Sequence, residues 1–294
     1  MLSLHTNAAA LSAQNSISRT QMALSNSQTR LSTGFRVNSA MDDAAGLQIA
    51  TRLKAQTSGM AMAMRNTQNS ISMLQTAEGA FDEVTNMLVR MKDLATQAAD
   101  QSSSATDQTA LQSEYDALGK ELNNIMNNTT FGGQALLKGG TIAGSMQFQI
   151  GASKTETMTV DLSTDMGTTL ENALTAVSAQ YTTPSATAGT EVSGANQAAG
   201  ATAAGTSIKN ISDALDAVGS IRSSLGAAAN RLDHIYNNLS NISTNTKAAT
   251  GRIMDTDFAA ESSNMTSSQM LLQAGTAMLK QSNSTSSLVM SLLQ

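Results

Sequence analysis

Eight apolar residues between positions 74 and 98 constrain this chain more than anything else in it. Leu74, Ala77, Phe81, Val84, Leu88, Met91, Ala95 and Ala98 follow one another at alternating steps of three and four. That spacing lines one stripe of an α-helix with the seven-residue repeat of a coiled-coil seam. Within residues 67–100 the single glycine, Gly79, is the one helix-weakening residue, at about 1 kcal/mol relative to Ala. Extended upstream to Met60, the helix should run roughly 60 Å at about 1.5 Å per residue. A helix of that kind cannot bury its seam alone, so other segments of the chain must lie along it.

The partners come from both sides. Residues 102–107 form a polar break rich in capping residues, and Leu111, Tyr115, Leu118, Leu122 and Ile125 then predict a second helix ending near Asn127. It is short enough to fold back antiparallel on the first. Met146, Phe148 and Ile150 alternate with polar residues, as do Met158, Val160 and Leu162, and residues 151–156 between them read as the turn of a β-hairpin. Leu170, Leu174 and Val177 suggest one more short helix. Residues 182–206 hold almost no large apolar side chain and the chain's single proline, which predicts an exposed loop. A long helix follows, with Ile208, Ile211, Leu215, Val218, Leu225, Leu232, Ile235, Leu239 and Ile242 on one stripe. The fold class is therefore mainly α: a long antiparallel helical coiled-coil bundle formed from both ends of the chain, with a small β-hairpin.

The two ends mirror each other. Ala10, Ile17, Leu24 and Leu31 recur every seven residues, and no acidic side chain precedes Asp42. Phe258, Met265, Leu272, Leu279 and Leu293 keep the same spacing, with Leu271, Met278 and Leu292 beside them, and from Ser262 to Gln294 the one charged side chain is Lys280. A surface helix normally carries both charge signs on its polar face. These carry Ser, Asn, Gln and Thr, as expected of helices that touch protein on most sides and are stabilised by packing. Between the first helix and the central one, Gly34 reads as a helix stop and Ser39 as an N-cap, with Asp42 and Asp43 near the positive end of the next helix.

Composition closes off other classes. Charged residues are 13% of the chain and aromatics 3%, with no Trp and no Cys. Scattered Lys and Arg with a net charge of −5 leave no footprint for nucleic acid. No run approaches the ~20 apolar residues that span a bilayer, and the polar faces lack the Lys/Arg enrichment of membrane-surface helices. The start of the chain has no cationic segment followed by an apolar core, so if the protein leaves the cell, the expected route reads no cleaved leader. His5 and His234 have no second ligand at metal-binding spacing. There is no H-E-x-x-H, the glycine-flanked Lys138 lacks the G-K-[ST] ending of a phosphate loop, and Asp255, Asp257 and Glu261 lack the glycine and spacing of a calcium loop. No catalytic residue, cofactor site or metal site is expected, and the chain does not read as an enzyme.

Three ordered blocks carry a family resemblance. They are RLSTGFRVNSAMDDAAGLQIATRL at 30–53; ISMLQTAEGAFDEVTNMLVRMKDLATQAA at 71–99, continuing through QSEYDALGKELNNIMNNTTFGGQALL at 112–137; and SIRSSLGAAANRLDHIYNNLSNI at 220–242, with the tail at 263–294. In these residues the chain resembles bacterial flagellin, the flagellar filament subunit, as a short variant with a minimal variable region. The resemblance implies paired terminal helices (1–40 and 255–294) as the filament core domain. It implies a rod-shaped helical domain with the hairpin (41–181 and 207–254) and a short exposed variable loop (182–206). Residues 30–53, with Arg36, Asp42 and Asp43, would be the spoke between core and rod. It further implies an extracellular polymer for swimming motility, exported unfolded by the flagellar type III system. The implied partners are copies of itself, hook-associated junction and cap proteins, an export chaperone at the C-terminal helix, and Toll-like receptor 5.

The family's receptor-binding positions map to Arg90, Leu94 and Glu114, while Val89, Lys92 and Asp93 depart from the family's pattern there. The expected assembly interface sets Ile17, Leu24 and Leu31 against Leu271, Leu272, Met278, Leu279, Leu292 and Leu293. The alternative reading is a hook–filament junction protein, which shares similar terminal helices and joins polymers without extending one.

Overall fold

The computed structural model describes residues 7–292, with side chains through residue 285. It divides into two compact units, Ser58–Ile242 and the pair Met1–Thr57 with Ser243–Gln294. The division falls inside two long helices, α2 (Ala44–Ala99) and α6 (Gln197–Met254).

The unit formed by 58–242 is built on the predicted stripe. All eight seam residues of α2 are buried, in one core shared with α3 (Ala105–Asn128) and α6. Arg222 of α6 lies 3.1 Å from Asp82 of α2, and Met60 and Ala63 pack with Leu239, so the two long helices run antiparallel. The break after α2 is closed by a capping box. Ser104 accepts from the Asp107 backbone N–H, and Asp107 accepts from that of Ser104. Tyr115 is buried on α3 and donates to the Val177 carbonyl at 2.8 Å; burial pushes its phenol pKa well up.

Beyond α3 comes a two-residue hairpin that the periodicity does not predict. β1 (Thr130–Phe131) pairs with β2 (Gln134–Ala135) across Gly132 and Gly133. Their φ values of 60° and 82° are what a primed two-residue turn demands and what glycine adopts freely. The expected hairpin follows as β3 (Ser145–Gln149) and β4 (Thr157–Asp161), with Met146 opposite Val160 and Phe148 opposite Met158. A π-helical turn (Asp165–Leu170) and α4 (Glu171–Val177) bury Leu170, Leu174 and Val177. α5 (Ala179–Thr182) ends the run.

Residues 182–206 differ from the expected exposed loop. Residues 197–206 already belong to α6, with Gly200 and Ala204 buried, and Val192 is fully buried. The reason is polar, not apolar. Gln112 of α3 donates to Asp116 at 2.8 Å and to Glu191 at 2.7 Å, and accepts from the Val192 N–H at 2.7 Å. Asp116 accepts from the Gly189 N–H, Glu191 from the Ala179 N–H, and Gln180 binds the backbone of Thr187 and Ser185. Two runs stay open to solvent, residues 182–188 and 194–199, on either side of the docked Val192.

The other unit pairs α1 (Ala8–Thr33) with α7 (Phe258–Leu292). Contacts running from Asn7–Ser282 through Ile17–Gly275 to Ser27–Glu261 make them antiparallel. α1 ends at Gly34 (φ 75°), whose N–H caps the Arg30 carbonyl. Phe35 then bridges Asp255, while Arg36 N–H donates to the Met254 carbonyl and Thr256 N–H to that of Gly34. This bridge ties the segment after α1 to residues 254–256 within the unit that takes in residues 1–57 and 243–294. Leu293 lies outside the described residues, as do His5 and the side chain of Leu292.

Removing the Gln112 side chain leaves buried partners unpaired, and buried unpaired groups cost about 1–3 kcal/mol each. Gln112→Ala should therefore lower the urea midpoint of the full chain by that order, with the region around Val192 losing amide hydrogen-exchange protection first.

Candidate functional site

The described residues hold no group of three His, Cys, Asp or Glu side chains placed to share a metal ion. No described helix is long and apolar enough to cross a membrane. What this chain offers is surface, in three places.

The first is the terminal helix pair. Ala10, Ala13, Ile17, Thr20, Leu24 and Leu31 of α1 are half-buried, as are Met265, Ser268, Leu272, Gly275 and Leu279 of α7. A Cβ on Gly275 would come within 2.9 Å of Ile17, so the helices close to van der Waals distance there. Of the expected interface residues, Ile17, Leu24, Leu31, Leu272 and Leu279 thus share the half-buried face of the pair. Leu271 and Met278 point away and are 60% and 69% exposed, as Leu11, Met22 and Met270 also are in the main. The fully buried positions of the described pair are polar. Ser27 donates to Glu261 at 2.5 Å, and Arg30 lies 3.7 Å from the other carboxylate oxygen. Glu261 sits in the first turn of α7 and Arg30 in the last turn of α1, each where the helix dipole favours its charge.

The second is the segment between α1 and α2. Arg36 donates to the Ile253 carbonyl at 3.0 Å, beside the backbone bridge. The N-cap of α2 is Asp43, which accepts from the Gly46 N–H at 2.8 Å, and not the expected Ser39. Ser39 instead belongs to a preceding turn, where Asp42 accepts from the N–H groups of Asn38 and Ser39 at 3.0 and 2.9 Å. A helix has one N-cap position, and the second carboxylate of the Asp-Asp pair takes it while the first closes the turn.

The third is the α2–α3 face. Arg90 Nε and Nη2 both donate to one carboxylate oxygen of Glu114, at 3.0 and 2.6 Å, and both side chains are about half exposed. Val89 is exposed beside them. Leu94 is not part of this surface. It is buried in the core of the unit at 2% exposure. The α2 stripe explains why: Leu94 precedes the seam residue Ala95 and lies on its core side.

Comparison with known proteins now bears on these surfaces. The bacterial flagellin N-terminal helical region matches residues 4–141, and the bacterial flagellin C-terminal helical region matches 208–293. Flagellin B of Vibrio anguillarum is 36% identical, and polar flagellin F of Vibrio parahaemolyticus 34%, each over 99% of both chains. The first alignment runs over 375 residues against 294 in this chain, so that relative carries stretches absent here. Among solved structures, a putative flagellar hook-associated protein from Vibrio parahaemolyticus shares the fold at a TM-score of 0.55 and 17% identity, covering 73% of this chain and all of that one. The two family regions between them take in both helical ends of the chain, and the class they define is a structural one. This chain belongs to the bacterial flagellin family. It is a subunit of the extracellular flagellar filament that serves motility, and not an enzyme.

The backbone hydrogen bonds from Ser39 and Asn38 hold the Asp42 carboxyl below its ordinary value of 3.8. A depressed carboxylate stabilises the turn above the ordinary value, and that contribution is lost as the pH falls through the folded one. Carbon-detected NMR titration of Asp42 should give a midpoint below 3.8, and Asn38→Pro, which removes one donor, should move it back up.

Proposed function

We propose that the subunit assembles through its terminal helix pair, in two layers. Ile17, Leu24, Leu31, Leu272 and Leu279 hold α1 to α7 within one copy, and Leu11, Met22, Met270, Leu271 and Met278 meet neighbouring copies. The observation that carries this is the run of large apolar side chains left exposed on helices with almost no charge. Such a face in water marks a protein contact. Different patches meeting head to tail, in a rotation that does not close, generate an open helical polymer. Leu292 and Leu293, whose side chains lie outside the described residues, are assigned to the same interface on the sequence spacing alone. The segment holding Arg36, Asp42 and Asp43 acts as the spoke between the terminal pair and the outer helices.

Export in the unfolded state through the flagellar type III channel, with a chaperone holding the C-terminal helix, suits a chain without cysteine whose terminal helices depend on packing. Hook-associated junction and cap proteins would meet the same terminal helices at the filament's ends. Seeded growth separates the filament reading from the junction reading. Full-length chain added to short filament fragments should give long filaments in negative-stain electron microscopy, and a chain lacking residues 262–294 should give none. A full-length chain that decorates fragment ends without extending them would identify a junction protein.

We also propose that Toll-like receptor 5 recognises the α2–α3 face through Arg90 and Glu114. The forked, half-exposed ion pair supports this, because a planar guanidinium offers directional donors that a lysine cannot. Arg90→Ala and Glu114→Ala should each weaken a receptor-reporter response several-fold while leaving the unfolding midpoint almost unchanged, since exposed ion pairs add little stability. Leu94→Ala should instead lower stability by about 2–5 kcal/mol. A response lost only with Leu94→Ala would sink the proposal.

A further inference from the structure

The exposed apolar residues on the terminal pair have a common chemistry. Among the described residues of α1 and α7 they are Leu11, Met22, Phe258, Met270, Leu271 and Met278, so half are methionine. Met22, Met270 and Met278 are 59%, 60% and 69% exposed. Met22 lies eleven residues, three helical turns, from Leu11 and therefore on the same side of α1. On α7, Met278 lies seven residues, about two helical turns, from Leu271 and on its side, with Met270 roughly a quarter-turn round the helix. In the other unit Met62 is 49% exposed, whereas Met60, Met87, Met91, Met126, Met146, Met158 and Met166 are buried.

We propose that Met22, Met270 and Met278 are a redox-sensitive modification site that governs assembly, with a peroxide as the oxidant. The inference rests on these residues meeting neighbouring copies in the filament. A thioether sulfur attacks one oxygen of hydrogen peroxide through its lone pair. An S–O bond forms, the O–O bond breaks, and the second oxygen leaves as water after taking the protons. Sulfur is oxidised by two electrons to the sulfoxide and the peroxide is reduced. The product is polar and chiral where the thioether was apolar and pliable, and a Met-rich contact loses its fit. Burying the new S=O against a neighbour's apolar side chains leaves an acceptor without a donor. The free subunit is vulnerable because these sulfurs face water. The assembled subunit is protected because a neighbouring copy covers them, so oxidation acts before incorporation and not after.

Full-length subunit would be treated with hydrogen peroxide, quenched with catalase, mapped by peptide mass spectrometry and added to filament fragments. Sulfoxide should accumulate at Met22, Met270 and Met278, together with the open Met41 and Met62, before it reaches Met60, Met91 or Met126. Elongation should slow at least about tenfold, and methionine sulfoxide reductase should restore it. The variant M22L/M270L/M278L should elongate at an unchanged rate after the same treatment. If that variant fails to elongate untreated, the single substitutions with reductase reversal decide the matter. Subunits carrying sulfoxide at all three positions that elongate normally would overturn the proposal, as would an equal loss in the leucine variant. Untreated subunit that does not elongate at all would instead overturn the assembly reading beneath it. In preformed filaments the three sites should stay reduced at the same peroxide dose.

Discussion

An apolar stripe longer than any one helix can cover by itself organises the larger unit. Every seam residue of α2 from Leu74 to Ala98 is buried, and α3 and α6 are the elements that bury them. Complete burial of Leu, Met or Phe contributes about 1.5–3 kcal/mol each relative to exposure. The small positions, Ala77, Ala95 and Ala98, contribute less area but let neighbouring helices approach. With three aromatic-poor helices sharing this one seam, Phe81 and Tyr115 are among the few large rings available. The polar capping box at Ser104 and the Arg222–Asp82 contact then fix where each helix begins and how it faces its neighbour.

The terminal pair follows a different physics. Its contact face is half-buried along most of its described length, and the two buried side chains, Ser27 and Glu261, are polar. Both lie at the end where Gly34, Phe35 and Arg36 join the backbone of residues 254–256. Polar burial of this sort adds little net stability but strongly disfavours arrangements that separate the partners. The pair is therefore fastened at one end and lightly held elsewhere. That matches helices whose remaining apolar surface belongs to other copies.

The residues of the main seam, the hairpin strands and the long C-terminal stripe were legible because each rests on a period that burial imposes: 3.5 for the seam and 2 for the strands. The docked part of 182–206 was not. Gln112, Asp116, Gln180 and Glu191 are far apart in sequence, and a hydrogen-bond network of that kind leaves no periodic trace. The start of α6 was hidden for a related reason, since Ala and Gly pack by being small and score as loop in a search for large apolar residues. Gly132-Gly133 did carry a hairpin signal, but it sat where a helix end was also expected. Of the surface residues, Arg90 and Glu114 are where a solvated helix face puts them. Leu94 came from the resemblance as a surface position, whereas its place next to Ala95 on the α2 stripe points inward, where it is buried. Glu261 drew notice as an imperfect calcium-loop residue, and its role as the buried partner of Ser27 and Arg30 depends on a residue more than 200 positions away.

The docked loop also has an evolutionary reading. The Thr183 N–H donates to the Ala179 carbonyl, and Gln180 holds the backbone of Ser185 and Thr187 just before Asp116 takes the Gly189 N–H, so the short span between Thr183 and Ser185 is clamped at both ends. The entropy of closing a loop grows only with the logarithm of its length. Chain added between the clamps would leave every bond of the network in place and carry its new side chains outward. The subunit thus separates a part whose geometry its neighbours must be able to trust from a short span free to change its chemistry, and an organism could redecorate the one without retuning the other.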